Sequence, residues 1–205
     1  MKQQILVAGF LSMAALCAAP AFAADAGTIY LGGNVGQSST DYSSDKCSQD
    51  VGFDCTTDTS DTAIKLNAGY HITPQLAAEM GYIDMGKVNL TFPQFGSAGG
   101  EIKSHAIYLD AVGTLPLQTG GLALTGRIGL FSSDTTFSVH GGGGSASDSQ
   151  SASDLNFGVG LEMPFNKNLS GKLELERFDS VGKGGGNSGA NISVFSVGIN
   201  YSFNK

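Results

Sequence analysis

Eight stretches of this sequence follow a period of two, apolar residues against small or polar ones, at approximately 27–36, 63–72, 76–87, 104–117, 122–132, 154–165, 169–178 and 192–203. Successive side chains of a strand point to opposite faces, so a period of two argues for β-strands. No amphipathic helical pattern competes with them. The connections alternate in length as regularly as the residues do. Thr73-Pro74-Gln75, Gln118-Thr119-Gly120-Gly121 and Asn166-Lys167-Asn168 are short. The connections at about 37–62, 88–103, 133–153 and 179–191 are long and polar. An up-and-down meander places alternate connections at opposite ends. All short turns then gather at one end with both termini, and all long loops at the other.

The two faces of each strand identify the surroundings. One face carries Ile64, Leu66, Ala68, Tyr70 and Ile72 in the second stretch, and Phe195, Val197, Ile199, Tyr201 and Phe203 in the eighth. The opposite faces mix glycine and small polar residues with single charges. These charges are Lys65, Glu79, Asp110, Arg127, Glu162, Lys172, Glu174 and Glu176. A soluble sheet would show a denser polar surface. A narrow eight-stranded barrel has an interior that side chains fill. Glycines there leave room for long charged chains crossing from other strands. Both signs occur, and buried charges need partners. The expected fold is therefore all-β: an eight-stranded antiparallel up-and-down transmembrane β-barrel, apolar face to lipid, with short turns on one side and long loops on the other. A soluble ligand-binding barrel would turn the apolar faces inward, and would give no reason for the long loops to share one end.

The N-terminus reads as a secretory signal peptide. Lys2, an apolar run from Ile5 to Ala19 and Ala21-Phe22-Ala23 predict cleavage after Ala23, leaving a barrel over 24–205. The mature chain carries ten basic and eighteen acidic residues, a net charge of −8. That excludes a nucleic-acid partner, which demands a basic face. No other run has the length of a transmembrane helix. Cys47 and Cys55 remain after export and are expected to form a local disulfide in a polar loop. Asp50, Asp54 and Asp58 nearby lack the spacing of a calcium loop. No metal or cofactor is expected.

Three segments resemble the outer membrane protein A type of transmembrane barrel. They are LNAGYHITPQLAAEMGYIDMGKV (66–88), FGVGLEMPFNKNLSGKLELERF (157–178) and SVGINYSF (196–203). The resemblance implies interior ion pairs. By position, Glu79 and Lys172 match one pair, Glu162 an interior carboxylate and Arg127 an interior arginine. The basic partner of Glu162 falls near Val112, where none stands. The sequence ends after the eighth stretch, so the peptidoglycan-binding domain of two-domain members is not expected. The usual terminal aromatic is displaced by two residues, since Asn204 and Lys205 follow Phe203.

A barrel of this kind is expected in the outer membrane of a Gram-negative cell. Its expected partners are phospholipid and lipopolysaccharide, the barrel assembly machinery during biogenesis, and a host or environmental ligand at the loops. A monomer is expected. The leading functional expectation is a structural and surface-interaction role carried by the loops. The alternative is a narrow, porin-like conductance through rearranged ion pairs. A lipid-modifying enzyme is disfavoured. His71, His105 and His140 do not form the His-x-Ser-Asn arrangement of barrel deacylases. Arg177 breaks the alternation of its strand and is expected at the membrane interface, where a long basic side chain reaches the headgroups; the register at Asp84 and Arg177 is left open by the sequence.

Overall fold

A computed structural model describes residues 25–41, 56–91, 99–117, 121–141, 144–183 and 189–203. The expected signal peptide, Cys47 and Cys55 lie outside these residues. The strands are β1 (Ile29–Thr40), β2 (Thr56–Asp58), β3 (Ser60–Thr73), β4 (Leu76–Thr91), β5 (Gly99–Pro116), β6 (Ala123–Gly141), β7 (Gly144–Pro164), β8 (Leu169–Val181) and β9 (Ala190–Phe203). β2 is a three-residue piece paired to the far end of β4. The other eight form a closed antiparallel barrel. Each pairs with the next in the chain, and β1 closes on β9 from Ile29↔Phe203 to Thr40↔Ile192. Closure leaves no lipid-exposed edge within the band, as a chain in hydrocarbon requires.

The barrel is inside out relative to a soluble protein. Leu66 is 62% exposed, whereas its neighbour Lys65 is 2% exposed. Met80 is 63% exposed, next to Glu79 at 1%. The outward set includes Tyr70, Tyr201, Phe203 and Phe165 towards the short-turn end. Aromatic rings there suit a membrane interface. Tyr201 and Phe203 stack edge to face, with centroids 5.0 Å apart.

Side chains close the short turns. Thr73 Oγ1 accepts hydrogen bonds from the amides of Gln75 and Leu76 at 3.3 and 3.0 Å. Asn166 Oδ1 accepts from the amides of Asn168 and Leu169, each at 2.9 Å. Such bonds satisfy backbone donors that a tight turn leaves free. β4 carries a bulge between Asp84 and Lys87, where Gly86 takes a φ of 75°. Asp84 and Arg177 both point outward near the long-connection end. Arg177 binds Asp179 at 3.0 Å and Asp41 at 3.2 Å.

Two expected boundaries are wrong. The connection expected at 133–153 is largely strand: β6 and β7 stay paired from Ala123↔Glu162 to Gly141↔Gly144. The hydrophobic alternation ends near Leu130 and Leu155 because the lipid contact ends there. The backbone ladder needs no apolar face and continues through serine and threonine. The ends of β4 and β5 likewise run into the expected loop at 88–103, pairing as far as Thr91↔Gly99.

Candidate functional site: the barrel interior

The inward faces carry two distinct layers. The first is ionic and centres on Arg127, projected from the first part of β6. Its Nη1 lies 2.9 Å from Glu79, 3.4 Å from Asp110 and 3.2 Å from Glu176. Its Nη2 donates to Glu174. Lys65 Nζ, from β3, reaches Glu174 and Glu176 at 2.6 Å each. It also lies 5.8 Å from the centre of the Tyr108 ring. Neutral donors fill further acceptor sites on Glu79, Glu174 and Asp110. Tyr30 and Tyr108 donate to Glu79 at 2.8 and 3.0 Å. Asn34 donates to Glu174 at 2.6 Å, and Asn156 to Asp110 at 2.8 Å. A buried charge is tolerable only when its lone pairs and protons are met in this way.

Glycine makes the crossing side chains possible. A Cβ on Gly81 would sit 2.5 Å from the Tyr108 ring, and one on Gly69 would sit 2.1 Å from the Tyr30 ring. Both tyrosines reach Glu79 across these bare positions.

The structure corrects one pair read from the family pattern. Glu79 pairs with Arg127, and Lys172 does not contact it directly. Asn67 stands between them, donating to Glu79 at 3.1 Å and accepting from Lys172 at 3.1 Å. The nearest carboxylate to Lys172 is Glu174, at 3.7 Å. Three donors and Arg127 already occupy Glu79, which leaves Lys172 the amide oxygen. Glu162 lies outside this cluster, towards the short-turn end, and accepts from Ser170 Oγ. Val112, the position lacking the expected basic partner, is instead buried with Tyr30 and Ala77. Lys65, Glu79, Asp110, Arg127, Glu174 and Glu176 are brought together, Lys172 joins at the margin, and Glu162 stays apart. His71 stacks on Tyr30 at 5.2 Å, and His105 faces outward, stacked on Tyr82 at 5.8 Å.

The second layer is apolar, and nothing in the sequence reading anticipated it. On the same inward faces, just beyond the charges, stand Ala63, Ile83, Met85, Ala106, Phe131, Phe178, Val181, Ile192 and Val194. Phe131 and Phe178 meet edge to face at 5.3 Å. This layer plugs the barrel on the long-connection side of the ion cluster. The signal was available by continuing each polar face: Lys172, Glu174 and Glu176 lead to Phe178, and Glu79 and Gly81 lead to Ile83.

These features match a known family. The model of the outer membrane protein beta-barrel domain matches residues 8–203. The chain belongs to this family. Its fold is shared with the outer membrane protein OprG of Pseudomonas aeruginosa, at 18% identity over 91% of this chain and 100% of that one, with a TM-score of 0.58. It is shared also with Ail, the attachment invasion locus protein of Yersinia pestis, at 15% identity over 87% and 99%, with a TM-score of 0.55. Neisserial surface protein A matches at 16% identity over 86% and 99%, with a TM-score of 0.54. Ail has also been solved in complex with the heparin analogue sucrose octasulfate. Comparison with curated proteins gives no match. The protein is an outer-membrane β-barrel.

Proposed function

We propose that this barrel is a non-conducting scaffold whose long-connection end works at the cell surface. The observation that carries the reading is the double closure of the interior. An ion cluster and an apolar plug lie in series, so a conducting path would have to break both. A barrel that transports nothing leaves function to the parts outside the membrane. In this reading the short turns are periplasmic and the long connections extracellular. The chain sits as a monomer among phospholipid and lipopolysaccharide, inserted by the assembly machinery. Its surface partner differs in charge from the sulfated ligand solved with Ail. The first connection carries Asp41, Asp45, Asp50, Asp54, Asp58 and Asp61 against Lys46 alone, which repels polyanions.

Planar-bilayer recording of the purified protein tests the reading. Silence is expected for the wild type. Ohmic conductance that changes when Glu79 or Lys172 is replaced would favour the pore and overturn the scaffold.

A further inference from the structure

β7 outruns its neighbour on one side. On the β6 side it is paired along its whole length, to Gly141↔Gly144. On the β8 side the last pair is Asn156↔Phe178. The reason lies in β8. Ser180 takes a φ of 55° and Gly182 one of 70°, and Gly182 packs towards Thr135. β8 thus turns in over the barrel mouth and peels away from β7. Among the described residues, no strand covers the β7 edge from Gly144 to Leu155.

This edge stands above the lipid band, because Leu155 is the last large apolar residue on the outer face of β7. It spans about 35 Å at about 3.3 Å per residue. Proteins normally blunt such an edge with proline, lysine or a bulge. Residues 144–155 contain neither proline nor lysine, and the pairing with β6 runs without a register shift.

The edge is self-complementary. It reads SASD-SQ-SASD over 145–154. Two identical edges can pair antiparallel about a two-fold axis perpendicular to the sheet. Opposed residues must then share a face, so their numbers share parity. Centring the axis on Gln150 sets Ser149 opposite Ser151, Ser147 opposite Ser153 and Asp148 opposite Ala152. No carboxylate faces another. Gln150 itself faces its own copy, and among the described residues its Oε1 is buried with no hydrogen-bond partner. Turning that side chain towards the free edge would let a second Gln150 amide supply the missing donor.

Copies in one membrane point β7 the same way, so they cannot form this register. A two-fold axis across the strands inverts the membrane normal. We propose that the free edge of β7 pairs with the same edge of a second copy held in an opposing membrane. The protein is then a homotypic contact between two membrane surfaces. The inference rests on the surface-interaction reading above, but it fails separately. Conductance would remove that reading, whereas silent bilayers without membrane contact would remove only the pairing.

The test uses the full chain in two populations of phosphatidylcholine vesicles, labelled with donor and acceptor dyes. Outward placement of the hairpin is verified by protease access. Clustering, read as energy transfer, is expected only when both populations carry the protein. Gln150→Lys in either population should abolish it, with heat-modifiable gel migration confirming a folded barrel. A register test is independent of that variant. Opposed antiparallel residues lie about 4.5–5.5 Å apart at Cα, within disulfide reach. Gln150→Cys should therefore give an oxidised dimer joining the two populations. Ser145→Cys should not, because the two copies would be about 34 Å apart in this register. Four results would each overturn the pairing: no clustering of wild-type vesicles, clustering with protein-free vesicles, clustering that survives Gln150→Lys, or equal cross-linking at 145 and 150.

Discussion

Arg127→Met removes the centre of the ionic layer while keeping a long apolar side chain in place. Arg127 touches four carboxylates, Glu79, Asp110, Glu174 and Glu176. Without it, Lys65 and Lys172 face all four alone. Removing one partner of a buried ion pair costs about 3–5 kcal/mol, because the other charge is left uncompensated. At about 1.4 kcal/mol per tenfold, the folding equilibrium should fall by roughly two to three and a half orders of magnitude. Lys172→Met should cost less. Lys172 makes one hydrogen bond, to Asn67, and a longer contact with Glu174. A bond of that kind to a charged group contributes about 1.5–3 kcal/mol.

Reversible guanidinium unfolding in lipid vesicles measures both variants. A double-mutant cycle then separates pairs from positions. The coupling between Glu79→Gln and Arg127→Met should exceed that between Glu79→Gln and Lys172→Met, because Asn67 intervenes only in the second. Adding Glu174→Gln to Arg127→Met should return part of the loss, since it removes a carboxylate with no remaining arginine. If Lys172→Met cost more than Arg127→Met, or if Arg127→Met changed stability by less than about 1 kcal/mol, this account of the interior would be wrong.

Three further outcomes are expected. Gly81→Ala puts a Cβ 2.5 Å from the Tyr108 ring and 2.6 Å from the Leu66 carbonyl. It should cost about 1–3 kcal/mol in the same unfolding assay. Phe131→Ala and Phe178→Ala should each cost about 3–5 kcal/mol, and the pair should cost less than the sum because the rings share one contact. On the outer face beyond the lipid band, the Lys103 hydrogen bond, with Lys87 beside it, holds the Glu101 carboxyl below its usual range. The stabilisation from that carboxyl is present above the ordinary carboxylate pKa and is lost as pH falls through the lowered one. An NMR titration should show the lowered midpoint, and Lys103→Met should raise it.

Sequence reading reached the barrel because lipid imposes a simple rule. Every outward residue in the band must be apolar, and strand parity spreads that rule along the chain. Leu66 and Lys65 could therefore be placed on opposite faces without coordinates. The interface position of Arg177 was legible in the same way, whereas the register at Asp84 was not. Partners inside the barrel were less legible. Which of Arg127 and Lys172 meets Glu79 depends on the stagger between strands and on Asn67, a neutral residue that a search for charges passes over. The length of β7 was illegible for another reason. Above the band no solvent contrast marks the faces, so the Ser-Ala-Ser-Asp repeat looks like a loop while its backbone remains in the ladder.

The order of the two interior layers follows from the same physics. A barrel this narrow must fill its lumen, and a lumen filled only with leucine would leave inward and outward faces alike. A register slip of one residue would then exchange them at little cost. Charges at Lys65, Glu79, Arg127, Glu174 and Glu176 make that slip prohibitive, because it would put them into lipid. Once those strands are pinned, the positions beyond them need only be packed, and Phe131, Phe178, Ile83 and Val194 pack them. On this argument the ionic layer sets register and the apolar layer sets closure. Replacing the cluster with apolar residues should therefore damage the uniqueness of strand pairing more than it damages the seal.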